Sequence, residues 1–508
     1  MITSTKSSVK RILLSALSVV ILLNVTVYSQ SNLKNKISQG FSALYNFNFQ
    51  SADKTFNEII KNYPNNPAGY HYKSIHYLWY YLDNTNPYYL ENFLALSDTA
   101  IEKAEILLEK DSTDLFNFYI LGSVYANKTF AFTREENYVD AIFAAQKFYG
   151  YFNQILSRDS LYYDAYMGIG LYNFAISRAP QTWSWALSLS GVTGDKHVGL
   201  DYLETSVKKG KYSSIDSRFY LSQIYSEFLL KYPQAEGILL DLVTWYPKNL
   251  LFRFSLANLY LKKYDLKNAT KYYKSVIDSR DTVFTQLKNY AGLFLGDILY
   301  SQGKYDESRS YLINFLEFSN EDRFKGITAL KLGLSHLLEG DSLSALLYFE
   351  KTSEGNDDLD DDVFAEKKGE QYLKILPGTY ELRLILIKNL IDSGKFGQAL
   401  DSLENFVNLQ ISDSLRAEAL LYMSEVNYNL GKHKKSLEYA VAVIHFDNCE
   451  LWVKPFACYY AARVSKDLHS SVDAELFIEY AGNYKNYFYE NKLKDKLNFL
   501  SFILKEKN

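Results

Sequence analysis

Apolar residues recur along this chain at the spacing of amphipathic helices rather than of strands. Between Tyr290 and Thr352 they form two segments, each with an apolar stripe, a short break at Gly303 or Gly340, and a second stripe. Such a stripe on one face predicts an amphipathic helix, and a glycine between two stripes predicts a tight turn. No stretch alternates apolar and polar residues for long, so the pattern predicts an all-helical chain.

The two segments also repeat one another position by position. The small and apolar residues Leu295, Gly296, Gly303, Ser308 and Leu312 of the first recur as Leu332, Gly333, Gly340, Ala345 and Phe349 of the second. Small residues allow two helices of a hairpin to approach closely, and glycine adopts the left-handed conformation that ends a helix. Because one hairpin leaves an apolar face uncovered, several hairpins must stack.

This pattern resembles the tetratricopeptide repeat, whose signature is a large residue, Leu-Gly, Tyr, and then Ala, Phe and Pro. Residues 33–64 fit it as well, with Gly40, Ala52, Phe56 and Pro64 in register. The resemblance implies an all-α fold: an α-solenoid of stacked TPR-like helical hairpins that forms a curved right-handed superhelix. Residues 163–225 resemble a tetratricopeptide subfamily found in exported bacterial proteins and in the eukaryotic inclusion-body clearance family.

One insertion interrupts the regular spacing of the hairpins. Elsewhere in the C-terminal half the small residue of the second helix recurs every 37–39 positions, but 54 residues separate Ala345 from Ala399. We therefore predict one arc at 30–352, an acidic linker or insertion at 353–378, and a second arc at 379–508. The insertion carries Asp357, Asp358, Asp360, Asp361 and Asp362. Mutual repulsion favours an exposed, mobile loop, and the Gly and Glu of a calcium-binding EF-hand loop are missing at the required positions.

The N-terminus has the features of a secretory signal peptide. Lys6, Lys10 and Arg11 precede an apolar run over residues 12–27, and Val27 and Ser29 suit a cleavage site. We predict a signal peptide at 1–29, cleavage after Ser29, and an exported protein of the periplasm or cell surface. An uncleaved anchor is the alternative, although the run is shorter than the ~20 residues of a membrane span.

Charge and motif content argue against several other classes of function. The net charge is −4 and the sequence contains no basic cluster, so nucleic acid is not an expected partner. The spacing of His and Cys does not suit a metal, and the glycines at 168 and 170 are explained by helix packing rather than by a phosphate loop. We therefore predict no catalysis, no cofactor and no metal. Cys449 and Cys458 form either one disulfide bridge or two free thiols.

The resemblance also implies a place for the partner. In the tetratricopeptide family the first helix of each hairpin lines the concave groove and contacts the ligand. Carrying that register over gives eight candidate residues: Asn258, Lys262, Asp297, Tyr300, Lys388, Glu425, Tyr428 and Asn429. Trp183 and Trp185, in an apolar linker, are further candidates, either as a contact for a partner or membrane or as an extra helix packed within the solenoid.

The expected function is that of an exported scaffold which binds a protein or peptide in its groove and contributes to an envelope complex. Association with the membrane would then occur only through partners. A glycan-binding protein of the outer-membrane uptake type is the alternative, because the aromatic content of 16% includes a Tyr-rich helix at 70–81 on which sugars would stack. A third class is an enzyme whose site carries no known motif.

Overall fold

A computed structural model of the chain describes residues 32–178 and 194–504. The predicted signal peptide and the candidates Trp183 and Trp185 lie outside the described residues. Within those ranges the secondary structure is helical and no residue is in a strand. The prediction of an all-helical chain is confirmed.

Most of these helices alternate as the two arms of antiparallel hairpins. In chain order they are α1 (32–45), α2 (Phe49–Asn62), α3 (Pro67–Asn84), α4 (Pro87–Lys110), α5 (Leu115–Arg134), α6 (Tyr138–Arg158), α7 (Ala165–Ser177), α8 (Lys196–Lys209), α9 (Ser214–Gln223), α10 (Tyr232–Trp245), α11 (Leu250–Lys262), α12 (Leu266–Ile277), α13 (Thr285–Ser301), α14 (Tyr305–Phe318), α15 (Lys325–Leu338), α16 (Ser342–Glu350), α17 (Asp360–Lys374), α18 (Thr379–Asp392), α19 (Phe396–Val407), α20 (Asp413–Asn429), α21 (His433–Ile444), α22 (Val453–Asp467), α23 (Ser471–Gly482) and α24 (Glu490–Leu504).

Capping residues fix where many of these helices begin. The side chains of Asn66 and Asn86 accept hydrogen bonds from backbone N–H groups of the first turns of α3 and α4, and a proline follows each of them. An asparagine at the N-cap satisfies a donor that has no partner within the helix, and proline at the next position is already fixed in a helical φ. These local signals therefore set the register of the first hairpins.

The described residues form two compact units. The first comprises the described residues up to Leu221 together with Leu240–Asn249, and the second comprises Ser222–Leu239 together with the described residues from Leu250 onward. The core of the first unit is rich in aromatic residues, including the fully buried Tyr72, Phe56 and Phe152. A buried carboxylate also fixes the loop between α8 and α9: Asp164 accepts hydrogen bonds from the backbone N–H groups of Tyr212 and Ser213.

The second unit contains the hairpins in which the repeat was recognised. Ser308 Oγ donates a hydrogen bond to the backbone oxygen of Gly296 at 2.7 Å, and a Cβ on Gly296 would lie 2.7 Å from Leu312. Gly303 and Gly340 have φ of +75° and +89°, in the left-handed region. Both the close approach of the helices and the glycine turns are confirmed.

The same close approach explains the paired glycines of α7 in the first unit. A Cβ on Gly168 would lie 2.1 Å from the ring of Phe152, and a Cβ on Gly170 would lie 2.9 Å from the backbone oxygen of Gly199. Both glycines therefore lie where another helix leaves no room for a side chain. The interpretation of this pair as helix packing is confirmed.

The acidic insertion differs from the prediction of a loose loop. Residues 351–354 form a 3₁₀ turn, and α17 follows with three aspartates in its first turn. Asp362 is only 1% exposed and accepts hydrogen bonds from the backbone N–H groups of Phe324, Ile327 and Asn356. Carboxylates at a helix N-terminus interact favourably with the helix dipole, which offsets their repulsion. Asp357 and Asp358 are exposed in a turn, as predicted, whereas Asp360, Asp361 and Asp362 belong to a helix and Asp362 is buried.

Candidate partner-binding surface

The first helices of successive hairpins in the second unit lie side by side and form one surface. Lys331 Nζ of α15 lies 2.7 Å from Asp297 of α13, and Lys388 Nζ of α18 lies 4.0 Å from Glu425 of α20. Farther along, Arg463 of α22 lies over the ring of Tyr428 of α20. We call the surface formed by α11, α13, α15, α18, α20, α22 and α24 the first-helix surface.

The candidates on α11 lie on this surface and already have partners within the unit. Asn258 accepts a hydrogen bond from Tyr273 Oη at 2.5 Å, and Lys262 forms an ion pair with Glu227. Both candidates are half-buried. They contribute polar atoms to the surface, but Lys262 contributes little net charge because Glu227 neutralises it.

The candidates on α13 differ from each other in exposure. Asp297 is half-buried and paired with Lys331. Tyr300 is only 5% exposed, and it belongs to an apolar cluster with Leu330 and Leu334 of α15. The ring of Tyr300, a predicted ligand contact, is therefore buried rather than open to a partner. Its ring fills the space between neighbouring hairpins, which the helical register alone does not reveal.

The remaining four candidates lie close together on α18 and α20. Lys388 Nζ lies 2.5 Å from Asp392 and 4.0 Å from Glu425. Burial lowers the pKa of Lys388, but these two carboxylates outweigh that effect, so the pKa is raised. Tyr428 Oη donates a hydrogen bond to Asp467 at 2.6 Å, whereas Asn429 is exposed. The structure thus brings Lys388 and Glu425 together, with Tyr428 one turn further along α20.

Four further residues of α22 and α24 belong to this surface and were not among the candidates. The guanidinium carbon of Arg463 lies 4.0 Å from the ring centre of Tyr428 and 5.5 Å from that of Tyr459. It also lies 5.9 Å from Tyr460, and Lys496 Nζ lies 5.5 Å from the ring centre of Tyr459. The result is two half-buried cations among three tyrosine rings.

Arg463 and Lys496 differ in their ion pairing from the three lysines of the surface described above. Lys262, Lys331 and Lys388 each form an ion pair with a carboxylate. Neither Arg463 nor Lys496 forms an ion pair within the part of the chain that the structure describes. Burial lowers the pKa of Lys496 to about 8, and the neighbouring Lys492 and Arg463 act in the same direction, whereas Glu425 acts in the opposite one. An anion beside these two groups would relieve that repulsion.

Several other kinds of site receive no support from the described residues. They contain no group of His, Cys, Asp and Glu side chains that is arranged to hold a metal ion. Cys449 and Cys458 are free, and burial raises the pKa of both thiols. None of the helices within 32–178 and 194–504 combines the length and the apolar character that crossing a membrane requires.

The described residues therefore form an all-α solenoid of TPR-like hairpins, an architecture whose stacked repeats present extended binding surfaces. Residues 160–322 match the family model Iml2/Tetratricopeptide repeat protein 39, and residues 39–66 match the model Tetratricopeptide repeat. The first match includes the 163–225 segment, so the resemblance of that segment to an Iml2-like tetratricopeptide subfamily is confirmed. Tetratricopeptide repeats are generally non-catalytic scaffolds that bind other proteins.

The solved structures that match this chain are distant in sequence. A tetratricopeptide repeat protein from Parabacteroides merdae is 11% identical, with 57% of this chain and 99% of that chain covered and a TM-score of 0.27. Yeast Tom70 is 11% identical, with 94% and 97% covered and a TM-score of 0.28. PilF of Pseudomonas aeruginosa is 15% identical, with 52% and 97% covered and a TM-score of 0.25. No match was found among curated proteins.

Proposed function

We propose that this protein is an exported, non-catalytic scaffold that binds an acidic segment of a protein partner on its first-helix surface. The observation that carries the proposal is that Arg463 and Lys496 form no ion pair among the described residues. Both cations lie among the rings of Tyr428, Tyr459 and Tyr460. A groove lined by successive helices accommodates an extended peptide or a helix of the partner.

The chemistry of the two cations favours a carboxylate as the group they bind. A guanidinium presents paired N–H donors that match the two oxygens of a carboxylate, and such charge-assisted bonds are stronger than neutral ones. The surrounding tyrosines limit access of water, which weakens the screening of charge. Because Arg463 already covers the face of Tyr428 at 4.0 Å, a sugar ring has less free aromatic surface for stacking.

The proposed location outside the cytoplasm rests on the first 29 residues of the sequence. Their basic start, apolar run and Val27/Ser29 junction support export and cleavage after Ser29. An exported scaffold that binds protein on an extended surface fits a role in the assembly of an envelope complex.

The proposal is tested by a capture experiment. The protein is purified from the cell envelope and used to capture partners from an extract of that compartment. We expect protein partners to be retained, and we expect Lys496→Gln to reduce their retention at least about tenfold because a desolvated charge pair is lost. Lys434→Gln is the matched control, since Lys434 is an exposed lysine of the second helix α21. N-terminal sequencing of the same preparation should begin at Gln30.

Three results would contradict the proposal. Retention on envelope polysaccharide without protein partners would favour the glycan-binding alternative. Equal losses for Lys496→Gln and Lys434→Gln would show that the unpaired cations do not form the site. A purified protein that still begins at Met1 would contradict cleavage after Ser29.

A further inference from the structure

A second candidate surface lies in the first unit, on the helix α6. Tyr138, Val139, Ile142 and Phe143 occupy its first one and a half turns and are 52%, 64%, 41% and 59% exposed. At about 100° per residue these four positions span about 140° of the helix circumference, so they fall on one side of the helix. They therefore form a continuous apolar strip rather than scattered exposed residues.

The strip is not the edge of the core. The buried residues of α6 lie on a separate stripe that includes Ala141, Ala144 and Phe148. At about 100° per residue, Val139 and Phe143 point roughly opposite to that stripe. Packing of the hairpin therefore does not account for apolar side chains at these two positions.

Among the described residues, helix α7 is too short to extend over the strip. It packs antiparallel to α6, with Gly168 against Phe152 and the ring of Tyr172 4.2 Å from that of Tyr149. α7 ends at Ser177, whereas α6 has 21 residues and α7 only 13. The first turns of α6 thus extend past the end of α7.

Two exposed acidic side chains lie beside the strip. Glu136 and Asp140 are exposed, and neither forms an ion pair among the residues described. The nearest lysine of the same helix, Lys147, is directed elsewhere, since its Nζ donates a hydrogen bond to Tyr125 Oη at 3.0 Å. An apolar strip with acidic neighbours is complementary to an apolar segment with basic neighbours.

We propose that this strip binds a second partner, an amphipathic helix whose apolar side is flanked by Lys or Arg. Side chains spaced along α6 form ridges between which a second helix packs, and the basic flanks of that helix reach Glu136 and Asp140. The strip lies on the second helix of its hairpin, so this site is separate from the first-helix surface. The protein would then hold two different partners on two different surfaces.

The test uses the full chain and two synthetic helical peptides with the same leucine face, one with lysines on its polar face and one with glutamates. We expect the lysine peptide to bind and the glutamate peptide to bind at least tenfold more weakly. Val139→Ser combined with Phe143→Ser should weaken binding of the lysine peptide at least tenfold. Val472→Ser is the matched control, because Val472 is also the second residue of its helix and is 78% exposed.

The charged neighbours are tested separately. Glu136→Gln combined with Asp140→Asn should weaken binding severalfold at low salt and little at high salt, because exposed charges are screened. All variants should melt at the temperature of the wild type, since the altered side chains are exposed.

Four results would overturn the proposal. The first two are unchanged binding by the double serine variant and equal binding of the two peptides. The third is a dimer of the wild-type chain that the double serine variant dissociates, which would make a second copy the occupant. The fourth is binding to phosphatidylcholine vesicles that the double serine variant loses, which would make a lipid surface the occupant.

Discussion

Lowering the pH from 7.5 to 5 is expected to reduce the free energy of unfolding by about 2 kcal/mol for each of two buried histidines of α3. His71 is 2% exposed, and burial lowers its pKa to about 3. His76 is 5% exposed, and burial lowers its pKa to about 4 although Asp53 acts in the opposite direction. The unfolded chain takes up these protons near pH 6.5 and the folded chain does not. The stability that the two neutral histidines contribute is therefore fully present above pH 6.5. It is lost as the pH falls from 6.5 toward the folded pKa values, about 4 for His76 and about 3 for His71.

The measurement is the free energy of unfolding by denaturant at pH 7.5 and at pH 5. His71→Leu should reduce the loss between the two pH values by about 2 kcal/mol, because the leucine takes up no proton. His197→Gln is the control, since His197 is exposed. Burial raises the pKa of Asp216 to about 6, so protonation of this carboxylate stabilises the fold as the pH falls. This contribution is the same in the wild type and in His71→Leu, so the difference between the two proteins isolates the effect of His71. An equal loss of unfolding free energy between pH 7.5 and pH 5 in His71→Leu and in the wild type would contradict this account.

Tyr300→Ala is expected to destabilise the second unit by about 3–5 kcal/mol, as removal of a buried aromatic ring usually does. The ring is 5% exposed and packs against Tyr305 at 5.5 Å between ring centres, with Leu330 and Leu334 in the same cluster. Asn429→Ala is the contrasting variant on the same surface. Asn429 is exposed, so its replacement should cost less than about 0.5 kcal/mol.

Thermal and denaturant unfolding of the two variants distinguish these expectations. A melting temperature of Tyr300→Ala close to that of the wild type would contradict burial of the ring. The distinction matters for binding studies, because a loss of partner in Tyr300→Ala would reflect disruption of the unit. A loss of partner in Asn429→Ala would instead report on the surface itself.

The hairpins were predictable from the sequence because their requirements are local. Gly303 and Gly340 are needed where the backbone enters the left-handed region, and Gly296 is needed where a second helix approaches. Such requirements leave the same residue types at the same spacing in each repeat. For this reason the sequence indicated both the helices and the turns of this region correctly.

The acidic insertion was not predictable in the same way, because its stability depends on distant residues. Asp362 is held by the backbone N–H groups of Phe324 and Ile327, more than 30 positions earlier. Lys492 of α24 lies 2.9 Å from Asp361, 131 positions away. Repulsion between neighbouring aspartates is visible in the sequence, whereas the donors that compensate it are not.

The candidate surface was partly predictable. Arg463 follows Glu425 at the repeat spacing, just as Glu425 follows Lys388, so extending the register by one hairpin would have included it. Lys496 lies on the unpaired last helix, where the spacing no longer applies. Its proposed role rests on its burial and on the absence of an ion pair among the described residues, which only the folded structure shows.

The central claim is that the first-helix surface of the second unit contacts a protein partner, and site-specific photo-crosslinking in the living cell tests it most directly. A photoreactive phenylalanine derivative in place of Asn429 should give an adduct with a protein partner, and Lys496→Gln should abolish that adduct. The same derivative in place of Leu343, which is 80% exposed on the second helix α16, should give no such adduct. An adduct at Leu343 but none at Asn429, in chains that are equally folded, would contradict the claim.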